Sequence, residues 1–477
     1  MKSSKFLELA TVVKEHGGCL LLVGGAVRDF YGQLSERRSW NFSAFQDLDF
    51  LVFGLTIPEI WEIFEKFGPS ALVLRKVWAD KDASPLPLII TKFLQSRLEI
   101  SLPKVVGEGS KSLPFTGANL LKDALARDFT VNALYYDPLE EKIFDPLAGK
   151  KDLLAKKLVP CHEECFFSDP LRMLRAMTLI SRKSFTAHPR LMEFTRKHFD
   201  LLSQVPPERL WREWRVWSKS RKPSLGLWFL EDSGIIDFFP ILKSLVNLKQ
   251  SHKFHPEGTV WNHTVLVVEA LEKLPLGEKQ DLSVLRLAAL LHDVGKSSVT
   301  CKSSPCGKQF FYPNHAQPSA NLAGVFLKSL TAPAKVIKPV MKLISRHMDM
   351  AFKVHLPWEM RQIARYLYPY ANLADLWAIL AADWNGRSPW VEKYPWSLSE
   401  FLEPVKGEVG VPKDLLSGAE LILTFGLIPG PTMGEIIQKL REAQDREEIV
   451  TKAEALDYAI KLLESSKKKE CLASGTS

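Results

Sequence analysis

Residues 19–27 read CLLLVGGAV and residues 45–53 read FQDLDFLVF, and these two stretches decide the fold of the chain. The first is an apolar run that ends in a glycine turn, which is typical of a buried strand leading into a helix. In the second, Asp47 and Asp49 alternate with apolar residues. Side chains two apart on a strand lie on the same face, so this spacing predicts two carboxylates that project together.

The rest of the chain is predicted to contain a further strand, a loop and then mostly helices. Residues 93–102, FLQSRLEISL, predict a further strand that carries Glu99, and the Gly-, Pro- and Ser-rich residues 103–123 predict a loop. Beyond about residue 150 the apolar residues recur at helical spacing. We therefore expect an α+β protein, with a mixed α/β head followed by mostly α-helical segments. The expected domains are residues 1–140, 141–250, 251–390 and 391–477.

Composition narrows the class of protein. A chain of 477 residues with 46% hydrophobic and 25% charged residues has the balance of a multidomain globular protein, which excludes a disordered one. No apolar run reaches the roughly 18 residues of a membrane span, and the N-terminus lacks the pattern of a signal peptide. The six cysteines do not form a disulfide scaffold, so we expect reduced thiols, a cytoplasmic location and no membrane partner.

The net charge is concentrated in one region. Residues 151–222 contain 16 Lys and Arg against 8 Asp and Glu, which accounts for the whole net charge of +8. Trp211, Trp214 and Trp217 lie among these cations, a composition that favours binding to a nucleic acid. A solvated helical face is the alternative interpretation.

The order strand, glycine turn, helix and Asp-x-Asp strand indicates phosphate chemistry. Two carboxylates on one face can hold a pair of divalent ions, and Glu99 is the candidate for a third carboxylate. Gly24 and Gly25 would present backbone N–H groups to a phosphate, and Arg28 would add a charged donor. Taken singly, a glycine turn is often only a turn, and an Asp-x-Asp pair is often a solvated strand edge.

With these motifs the sequence resembles the nucleotidyltransferase superfamily, specifically the bacterial-type tRNA nucleotidyltransferase and poly(A) polymerase group. Residues 127–133, RDFTVNA, are similar to the RRDFTxNA element of that family, and FDPLAG follows at 144–149. The resemblance implies that Arg127, Asp128 and Asn132 contact the sugar and phosphates of a bound nucleotide. Alternatively, Asp128 caps a helix and Arg127 is solvated.

Residues 168–175, SDPLRMLR, resemble the EDPLRxLR element of the same family. The resemblance implies that Asp169 and Arg172 bind the edge of the incoming base and select CTP or ATP over UTP and GTP, with Arg175 also in the nucleotide site. Alternatively, Asp169 is an ordinary N-cap before Pro170.

Three departures from the family pattern leave the choice of base open. Ser168 stands where the family usually has Glu, and Ala126 replaces the first Arg of RRDFT. The connection between residues 32 and 47 is also longer and more polar than is usual in the family. None of these departures removes a carboxylate of the predicted metal site.

A second group of candidate metal ligands follows residue 255. Imidazole and carboxylate groups on neighbouring helices suit a divalent transition metal such as Ni²⁺, Mn²⁺ or Co²⁺. Their order resembles the HD phosphohydrolase superfamily, which implies four principal ligands, two residues for a second metal, and phosphatase or 2′,3′-cyclic phosphodiesterase activity toward RNA ends or nucleotides. Lys296 would contact phosphate or be solvated. The principal ligands are His263, His292, Asp293 and Asp383, and the second pair is His315 and His347.

Two cysteine pairs raise the question of a zinc site. Cys161 and Cys165 flank His162, and Cys301 lies near Cys306. Neither pair has a second pair at zinc-finger spacing, so we interpret all four as loop thiols.

Together, the resemblances imply an enzyme with a nucleotidyltransferase head (1–140), a base-selecting and RNA-binding neck (141–250), an HD domain (251–390) and a helical C-terminal region (391–477). The polar residues 466–477 at its end predict a frayed, flexible tail. The expected reaction adds CMP, CMP and AMP from CTP and ATP to a tRNA 3′ end, with Mg²⁺ held by Asp47 and Asp49. A-adding, CC-adding and poly(A)-synthesising enzymes are the nearest alternatives. An HD phosphohydrolase with an RNA-binding head and a non-enzymatic RNA-binding protein are more distant ones. The sequence does not indicate the oligomeric state.

Overall fold

The computed structural model describes residues 2–33, 47–66, 73–77, 86–93, 96–103, 113–303, 310–349, 356–387, 394–407 and 410–473. The polar connection at 34–46 and most of the segment 104–112 therefore lie outside the described residues. The chain divides into two compact units, Met1–Lys243 and Ser244–Ser477. The finer domain boundaries stay a prediction.

The first unit is built on a seven-stranded mixed sheet with the strand order β3-β4-β5-β2-β1-β6-β7. Strands β2 and β5 pair in parallel, whereas the other neighbours pair antiparallel. The strands are β1 (Cys19–Val23), β2 (Asp47–Phe53), β3 (Val73–Val77), β4 (Leu86–Phe93), β5 (Ser96–Ser101), β6 (Tyr135–Asp137) and β7 (Lys142–Phe144).

Helices flank and follow this sheet, which confirms the α+β class and the mixed α/β head. A parallel pair of two-residue strands, β8 (Lys157–Leu158) and β9 (Thr186–Ala187), lies among the later helices. The helices are α1 (Lys2–Glu15), α2 (Gly25–Gln33), α3 (Ile57–Lys66), α4 (Gly117–Leu125), α5 (Gly149–Leu154), α6 (Glu164–Ser168), α7 (Arg172–Lys183), α8 (Pro189–His198), α9 (Pro207–Ser218) and α10 (Pro223–Asp232). Helix α11 (Pro240–Val246) follows at the division between the units.

One predicted loop contains a helix. Residues 117–125 form α4, so the prediction of a loop over 103–123 is wrong for this part. The side chain of Thr116 accepts a hydrogen bond from the backbone N–H of Asn119 and caps the helix. Leu120 and Ala124 are buried and pack on the sheet core with Leu21, Leu51 and Tyr135. The glycine and proline content masked this short apolar stripe.

Two tryptophans of the basic segment belong to the core. Trp214 and Trp217 are completely buried on α9, with ring centroids 5.4 Å apart, and the Nε1 of Trp217 donates to the carbonyl of Pro223. Residues three apart share a helix face, so α9 turns both rings inward. Their interpretation as part of an RNA-facing surface is wrong, whereas Arg212 and Arg215 on the same helix are exposed.

Among its described residues, the second unit is helical apart from one short antiparallel strand pair, β10 (Lys302–Ser303) with β11 (Phe310–Phe311). Helix α12 packs against α13 and α17, and α14 packs against α15. The helices are α12 (Val260–Leu271), α13 (Leu282–Leu291), α14 (Ala316–Ser329), α15 (Ala334–Arg346), α16 (Pro357–Leu367), α17 (Leu373–Asn385), α18 (Leu398–Leu402), α19 (Gly418–Phe425), α20 (Pro431–Asp445) and α21 (Lys452–Ala473).

The C-terminal helices have a core of their own. Leu421 on α19, Leu440 on α20 and Ala455 on α21 are buried together. Helix α21 continues to Ala473, so the expectation of a frayed tail from 466 is wrong up to that residue. Among the described helices, none is both long enough and apolar enough to cross a bilayer.

Candidate functional sites

Strands β1 and β2 bring the glycine turn and the Asp-x-Asp pair together. Asp47 and Asp49 are exposed while Leu48 and Phe50 are buried, as the alternation predicts. Gly24 has a φ of +81°, and a Cβ at this position would lie 3.2 Å from the Oδ2 of Asp49. Glycine is suited to this position because the backbone turns in the left-handed region directly against the carboxylate.

The parallel pairing of β2 and β5 aligns Asp49 with Glu99. Asp49 is exposed at the surface of the strand, yet the protein packed around its carboxylate removes water from it. This desolvation, and then the like charges of Glu99 and Asp47, raise the pKa of Asp49 to about 6. A carboxylate with a raised pKa beside two others fits a divalent cation, which would relieve the repulsion between them. The three predicted carboxylates are therefore suited to holding Mg²⁺.

Asp49 and Glu99 line a cavity of about 300 Å³. This cavity brings together residues from four separate stretches of the sequence: Asp49, Glu99, Arg127, Asp128, Asp169, Arg172 and Arg175. Gly24, Gly25, Arg28, Asp47 and Asn132 are not among its lining residues.

Arg28 lies behind the cavity in a buried hydrogen-bonded series. Its Nη1 donates to the Oδ1 of Asn132 at 2.6 Å, and its Nε donates to Asp29. Asn132 in turn donates to Asp128 at 3.0 Å, and Arg175 pairs with the other oxygen of Asp128 at 2.9 Å. Arg28 thus contacts Asp128 only through Asn132, and the series fixes the carboxylate that borders the cavity.

The ionised form of Asp128 is stabilised by its neighbours. Burial alone would raise its pKa, but Arg175 and Arg172, with hydrogen bonds from Asn132 and the backbone N–H of Phe129, lower the pKa to about 2. The 3₁₀ helix that follows, Thr130–Asn132, begins after Phe129 and has no side-chain cap. The alternative that Asp128 is a helix cap is therefore wrong.

Arg127 is not solvated, so the alternative interpretation of Arg127 as a solvated side chain is wrong. Its Nε donates to Asp123 at 2.8 Å and to the hydroxyl of Tyr135 at 3.0 Å. Burial opposes its charge, but Asp123 and Tyr135 raise the pKa of Arg127 above its ordinary value. Sequence reasoning missed Asp123 and Tyr135. The i,i+4 spacing of Asp123 and Arg127 on a helix is the signal that could have identified the ion pair.

Asp169 and Arg172 each have one polar atom in a hydrogen bond and one without a hydrogen-bond partner among the described residues. The Oδ2 of Asp169 accepts from Arg209 at 2.9 Å, and the Nη2 of Arg172 donates to the carbonyl of Ala126 at 2.9 Å. The Oδ1 of Asp169 and the Nη1 of Arg172 are buried and have no hydrogen-bond partner among the described residues. Asp169 and Arg172 in the cavity wall therefore offer one hydrogen-bond acceptor and one hydrogen-bond donor.

The alternative that Asp169 is an N-cap is wrong. Helix α7 begins at Arg172 with Leu171 at the cap position and no side-chain cap, and the carboxylate of Asp169 binds Arg209 instead. Sequence reasoning did not identify Arg209, because its partner is 40 residues away along the chain.

Five segments of the second unit, each in or next to a helix, bring the six predicted HD residues together. All six residues are buried and at most 6% exposed. The Nε2 of His263 lies 2.9 Å from Asp383, and the Nε2 of His292 lies 3.2 Å from the Oδ2 of Asp293. The Nε2 of His315 lies 3.0 Å from the Oδ1 of Asp293, and 3.2 Å from the Nε2 of His347. Asp293 therefore lies between two groups of potential ligands.

These groups are suited to metal ions. His263, His292 and Asp293 form one set of converging ligand atoms, and Asp293, His315 and His347 form a second. The Nε2 of His292 lies 3.2 Å from the Oδ2 of Asp293, and both residues are 1% exposed. Imidazole nitrogens and carboxylate oxygens that converge in a buried site are the ligand types of divalent transition metals, so the donor set fits a cation.

The ring orientations of three histidines also favour metal binding. The Nδ1 atoms of His292, His315 and His347 lie 2.8, 2.7 and 2.6 Å from backbone carbonyls. A ring that donates from Nδ1 leaves Nε2 free as a ligand. Burial, together with His292 and His315, lowers the pKa of His347 to about 3, which keeps this ring in the neutral form that binds metals.

His263 is oriented by a carboxylate that sequence reasoning missed. Its Nδ1 lies 2.8 Å from the Oε1 of Glu257, which also accepts from His255 at 2.9 Å. Burial opposes the charge of Glu257, but the two histidines lower its pKa to about 2. Glu257 precedes α12 by three residues, and only its position beside the HPEG turn could have indicated a role.

Lys296 is buried rather than solvated. Its Nζ lies 2.6 Å from the Oδ2 of Asp293 and donates to the Oε1 of Gln250 at 2.8 Å. It lines a cavity of about 570 Å³ together with Asp293, His315, Asp383 and Arg387. The ammonium group is therefore held at the wall of the cavity, beside the candidate metal ligands.

The cysteines behave as simple thiols. Cys161, Cys165 and Cys301 are free, and burial raises the pKa of Cys161 and of Cys165. Cys165 lies in α6 rather than in a loop, and Cys306 lies outside the described residues. Their interpretation as thiols outside a zinc site stays a prediction.

Two regions that match family models contain most residues of the two sites, whereas Asp169, Arg172, Arg175 and Asp383 lie outside them. Residues 20–159 match the poly A polymerase head domain, and residues 260–377 match the HD domain. A comparison of solved structures found the Bacillus stearothermophilus CCA-adding enzyme in complex with CTP, with a TM-score of 0.64 and 18% identity. That comparison covers 98% of each chain and shows a shared fold.

Two relatives are similar over most of the chain. The CC-adding tRNA nucleotidyltransferase of Thermus thermophilus is 34% identical over 382 residues, which cover 78% of this chain and 83% of the relative. The A-adding tRNA nucleotidyltransferase of Deinococcus radiodurans is 32% identical over 352 residues, which cover 71% and 78%. These similarities show that the chain is a nucleotidyltransferase and that it belongs to the tRNA nucleotidyltransferase family.

Proposed function

We propose that this enzyme adds CMP, CMP and AMP to the 3′ end of tRNA, using CTP and ATP and releasing pyrophosphate. The observation that carries the choice of bases is the pair of unpaired groups on Asp169 and Arg172. A carboxylate oxygen can only accept when ionised, and a guanidinium can only donate.

This pair discriminates among the four bases by hydrogen-bond polarity. Cytosine offers an amino donor beside the N3 acceptor, and adenine offers an amino donor beside the N1 acceptor. Uracil and guanine present a carbonyl acceptor beside an N–H donor, so either would face Asp169 and Arg172 with like groups. A buried group left without a partner costs about 1–3 kcal/mol, which favours C and A.

The reacting groups would be held by the three carboxylates of the head. Asp47 and Asp49 would hold Mg²⁺, with Glu99 completing the site. Bound Mg²⁺ would supply activation of the 3′-hydroxyl and stabilisation of the leaving pyrophosphate. The backbone N–H groups of Gly24 and Gly25 would bind phosphate, and Asp169 and Arg172 would orient the base.

The basic neck supports RNA as the partner. Residues 151–222 carry the excess of Lys and Arg, and Arg212 and Arg215 are exposed on α9. Exposed cations on a helix are suited to the tRNA backbone. The neck, head and HD boundaries near 140, 250 and 390, and a cytoplasmic location, remain part of this proposal.

CC addition or A addition alone is a second candidate, favoured by the two similar relatives, one of them CC-adding and the other A-adding. Asp169 and Arg172 accept C and A equally well, so the geometry does not separate the three activities. A poly(A) polymerase would extend with A without stopping.

We further propose that the second unit is a metal-dependent phosphohydrolase. His263, His292, Asp293 and Asp383 would hold a divalent transition ion, and His315 and His347 a second one. Such an ion supplies a hydroxide for attack on a phosphate ester. Lys296, fixed by Asp293 and Gln250, would bind the phosphate.

Primer extension tests the main proposal. Transcripts of tRNA that end before CCA, or after CC, are incubated with Mg²⁺ and each nucleotide alone or with CTP and ATP together. Addition of three residues that stops at CCA supports full CCA synthesis. Addition limited to CC or to A supports the second candidate, a long A tail indicates a poly(A) polymerase, and no incorporation contradicts the proposal.

A further inference from the structure

We propose that helix α15 presents a second RNA-binding surface, distinct from the basic neck, which holds the phosphate backbone of the RNA substrate. This inference deepens the proposed function, because it rests on RNA as the substrate. The surface consists of Lys335, Lys338, Lys342 and Arg346, and we call it the α15 basic face.

The charge of this part of the chain has one sign. Residues 294–348 contain eight Lys and Arg and no Asp or Glu. The neck segment 151–222 carries an equal excess of positive charge, so the rest of the chain is net negative. A basic segment in an otherwise acidic chain is the electrostatic footprint of a polyanion. The second unit therefore has a basic region of its own.

Helical spacing collects four of these cations on one face of α15. They follow each other at intervals of three, four and four residues, which share a helix face. Lys335 and Arg346 lie about 16 Å apart along the axis, at 1.5 Å per residue. A nucleic-acid strand carries one charge for about every 3.4 Å of its axis, so the α15 basic face spans about four or five phosphates. The opposite face is buried and contains Ile337, Val340, Leu343 and Ile344.

The lysines of this face have no acidic partners. Lys335, Lys338 and Lys342 form no ion pair with any of the described residues, and Lys335 and Lys338 are exposed. Arg346 pairs with Asp349 at 2.7 Å, at the end of the face. Positive charge that is not neutralised within the protein remains available to an anionic partner.

Two tyrosines hold three of the cations in place. The Nζ of Lys342 lies 3.5 Å from the ring centroid of Tyr366, and the Cζ of Arg346 lies 4.2 Å from it. The Nζ of Lys338 donates to the hydroxyl of Tyr370 at 2.9 Å. Ordering a long side chain costs conformational entropy, so cations that are already held lose less on binding. This preorganisation distinguishes the α15 basic face from freely moving surface lysines.

The chemistry of the face favours RNA over an acidic protein. Tyr370 is 39% exposed, and its hydroxyl lies beside the ammonium of Lys338. A phenol next to a cation can bind a ribose 2′-hydroxyl and a phosphate together, which an acidic peptide does not offer. None of the four cations is among the lining residues of the cavity of about 570 Å³, so the surface does not belong to the candidate HD site.

Binding of tRNA tests the surface in the full chain. The variant Lys335→Gln/Lys338→Gln/Lys342→Gln is compared with the wild type by filter binding of a tRNA transcript from 50 to 200 mM KCl. The slope of the logarithm of affinity against the logarithm of salt concentration should become shallower by about 2 to 3, and affinity at 100 mM should fall at least about 10-fold.

A matched variant controls for the loss of charge. Lys273→Gln/Lys439→Gln/Lys452→Gln removes the same charge from exposed lysines elsewhere in the second unit and should bind like the wild type. Lys338→Arg/Lys342→Arg keeps the charge of the face and should bind within about twofold of the wild type. Equal affinities and slopes in the two triple variants overturn the α15 basic face.

Kinetics separate this inference from the proposed function. The α15 triple variant should raise KM for tRNA about 10-fold, while KM for CTP and kcat change less than twofold. If the wild type adds no nucleotide but the variant still weakens tRNA binding, the proposed function fails and the surface stands. Addition with an unchanged KM for tRNA leaves the function and overturns the surface. Loss of binding to a polyglutamate peptide but not to tRNA indicates an acidic protein partner and overturns the assignment to RNA.

Discussion

Arg209 on α9 holds one oxygen of Asp169 at 2.9 Å, and the other oxygen is buried in the cavity of about 300 Å³ with no hydrogen-bond partner among the described residues. The pair joins two helices that are distant in sequence, since Asp169 precedes α7 and Arg209 lies in the basic neck. A carboxylate fixed at one oxygen presents the other in a defined direction. In the proposed reaction, Arg209 would therefore act on the base through Asp169, as a positioning residue. Ser168, which stands at the family's Glu position, donates to the carbonyl of Cys165 and does not replace this support.

Substitution of Arg209 should relax the choice of base. In Arg209→Ala, Asp169 is free to rotate, so we expect kcat/KM for CTP to fall about 10- to 100-fold, the effect of losing a charged hydrogen bond of roughly 1.5–3 kcal/mol. Misincorporation of UMP should rise relative to CMP. Single-nucleotide incorporation kinetics measure both effects, with Arg212→Ala on the same helix as the control for lost charge. An unchanged UTP-to-CTP ratio would contradict the positioning role.

Asp47→Ala and Asp49→Ala should abolish nucleotide addition. Each substitution removes a carboxylate from the proposed Mg²⁺ site, and a fall of at least about 10³-fold in rate is expected for the loss of a catalytic metal ligand. Metal content of the second unit, measured by mass spectrometry after dialysis, should not change. Retained addition in either variant would exclude the two-metal assignment.

Glu257→Gln should weaken metal binding at the HD residues. Glu257 contacts the Nδ1 of His263 at 2.8 Å, and loss of such a partner typically costs 10- to 100-fold in metal affinity. Titration with Mn²⁺ or Ni²⁺ in a calorimeter measures the affinity directly. Glu269→Gln, at a surface ion pair with Lys273 on the same helix, provides the control. Equal affinities of Glu257→Gln and the wild type would show that Glu257 is not a supporting residue.

The buried Asp128 should make stability depend on pH in a defined direction. Its folded-state pKa of about 2 lies below the ordinary value of about 3.9, so its contribution is complete above pH 4 and is lost as the pH falls toward 2. The difference in pKa corresponds to roughly 2–3 kcal/mol. Urea unfolding of the wild type and Asp128→Asn should show a constant difference in the free energy of unfolding from pH 5 to 7. That difference should narrow below pH 4, and a gap independent of pH would contradict the assignment.

The basic neck should make tRNA binding sensitive to salt. If Arg212 and Arg215 contact phosphates, the logarithm of the association constant falls linearly with the logarithm of the salt concentration. Replacement of both by Ala should reduce the slope by about 1 to 2 and weaken binding to tRNAs of different sequence equally. Filter binding between 50 and 200 mM KCl measures the slope. Affinity independent of salt would exclude phosphate contacts in the neck.

The fold class and the grouping of site residues could be predicted from local patterns. Alternation of Asp47 and Asp49 with apolar residues fixes their shared face, and the HD residues recur at ends of helices that the apolar periodicity predicts. The regions that match family models, residues 20–159 and 260–377, contain the Asp-x-Asp pair and most of the HD residues.

Partners distant in sequence could not be predicted in the same way. Arg209 binds Asp169, and Glu257 contacts His263, through tertiary packing that no local spacing encodes. Trp214 and Trp217 show the opposite error. Tryptophans among many cations are typical of an RNA-binding surface, but α9 turns both rings inward and buries them completely.

The parallel pairing of β2 with β5 has a consequence for how the enzyme is synthesised. Asp49 and Glu99 are fifty residues apart in the chain, and the register that aligns them closes only after β5 has emerged from the ribosome. Loop closure over this separation is slow compared with the formation of α2 beside β1. A chain that is truncated or stalled before β5 therefore lacks Glu99, and with it the complete set of three carboxylates.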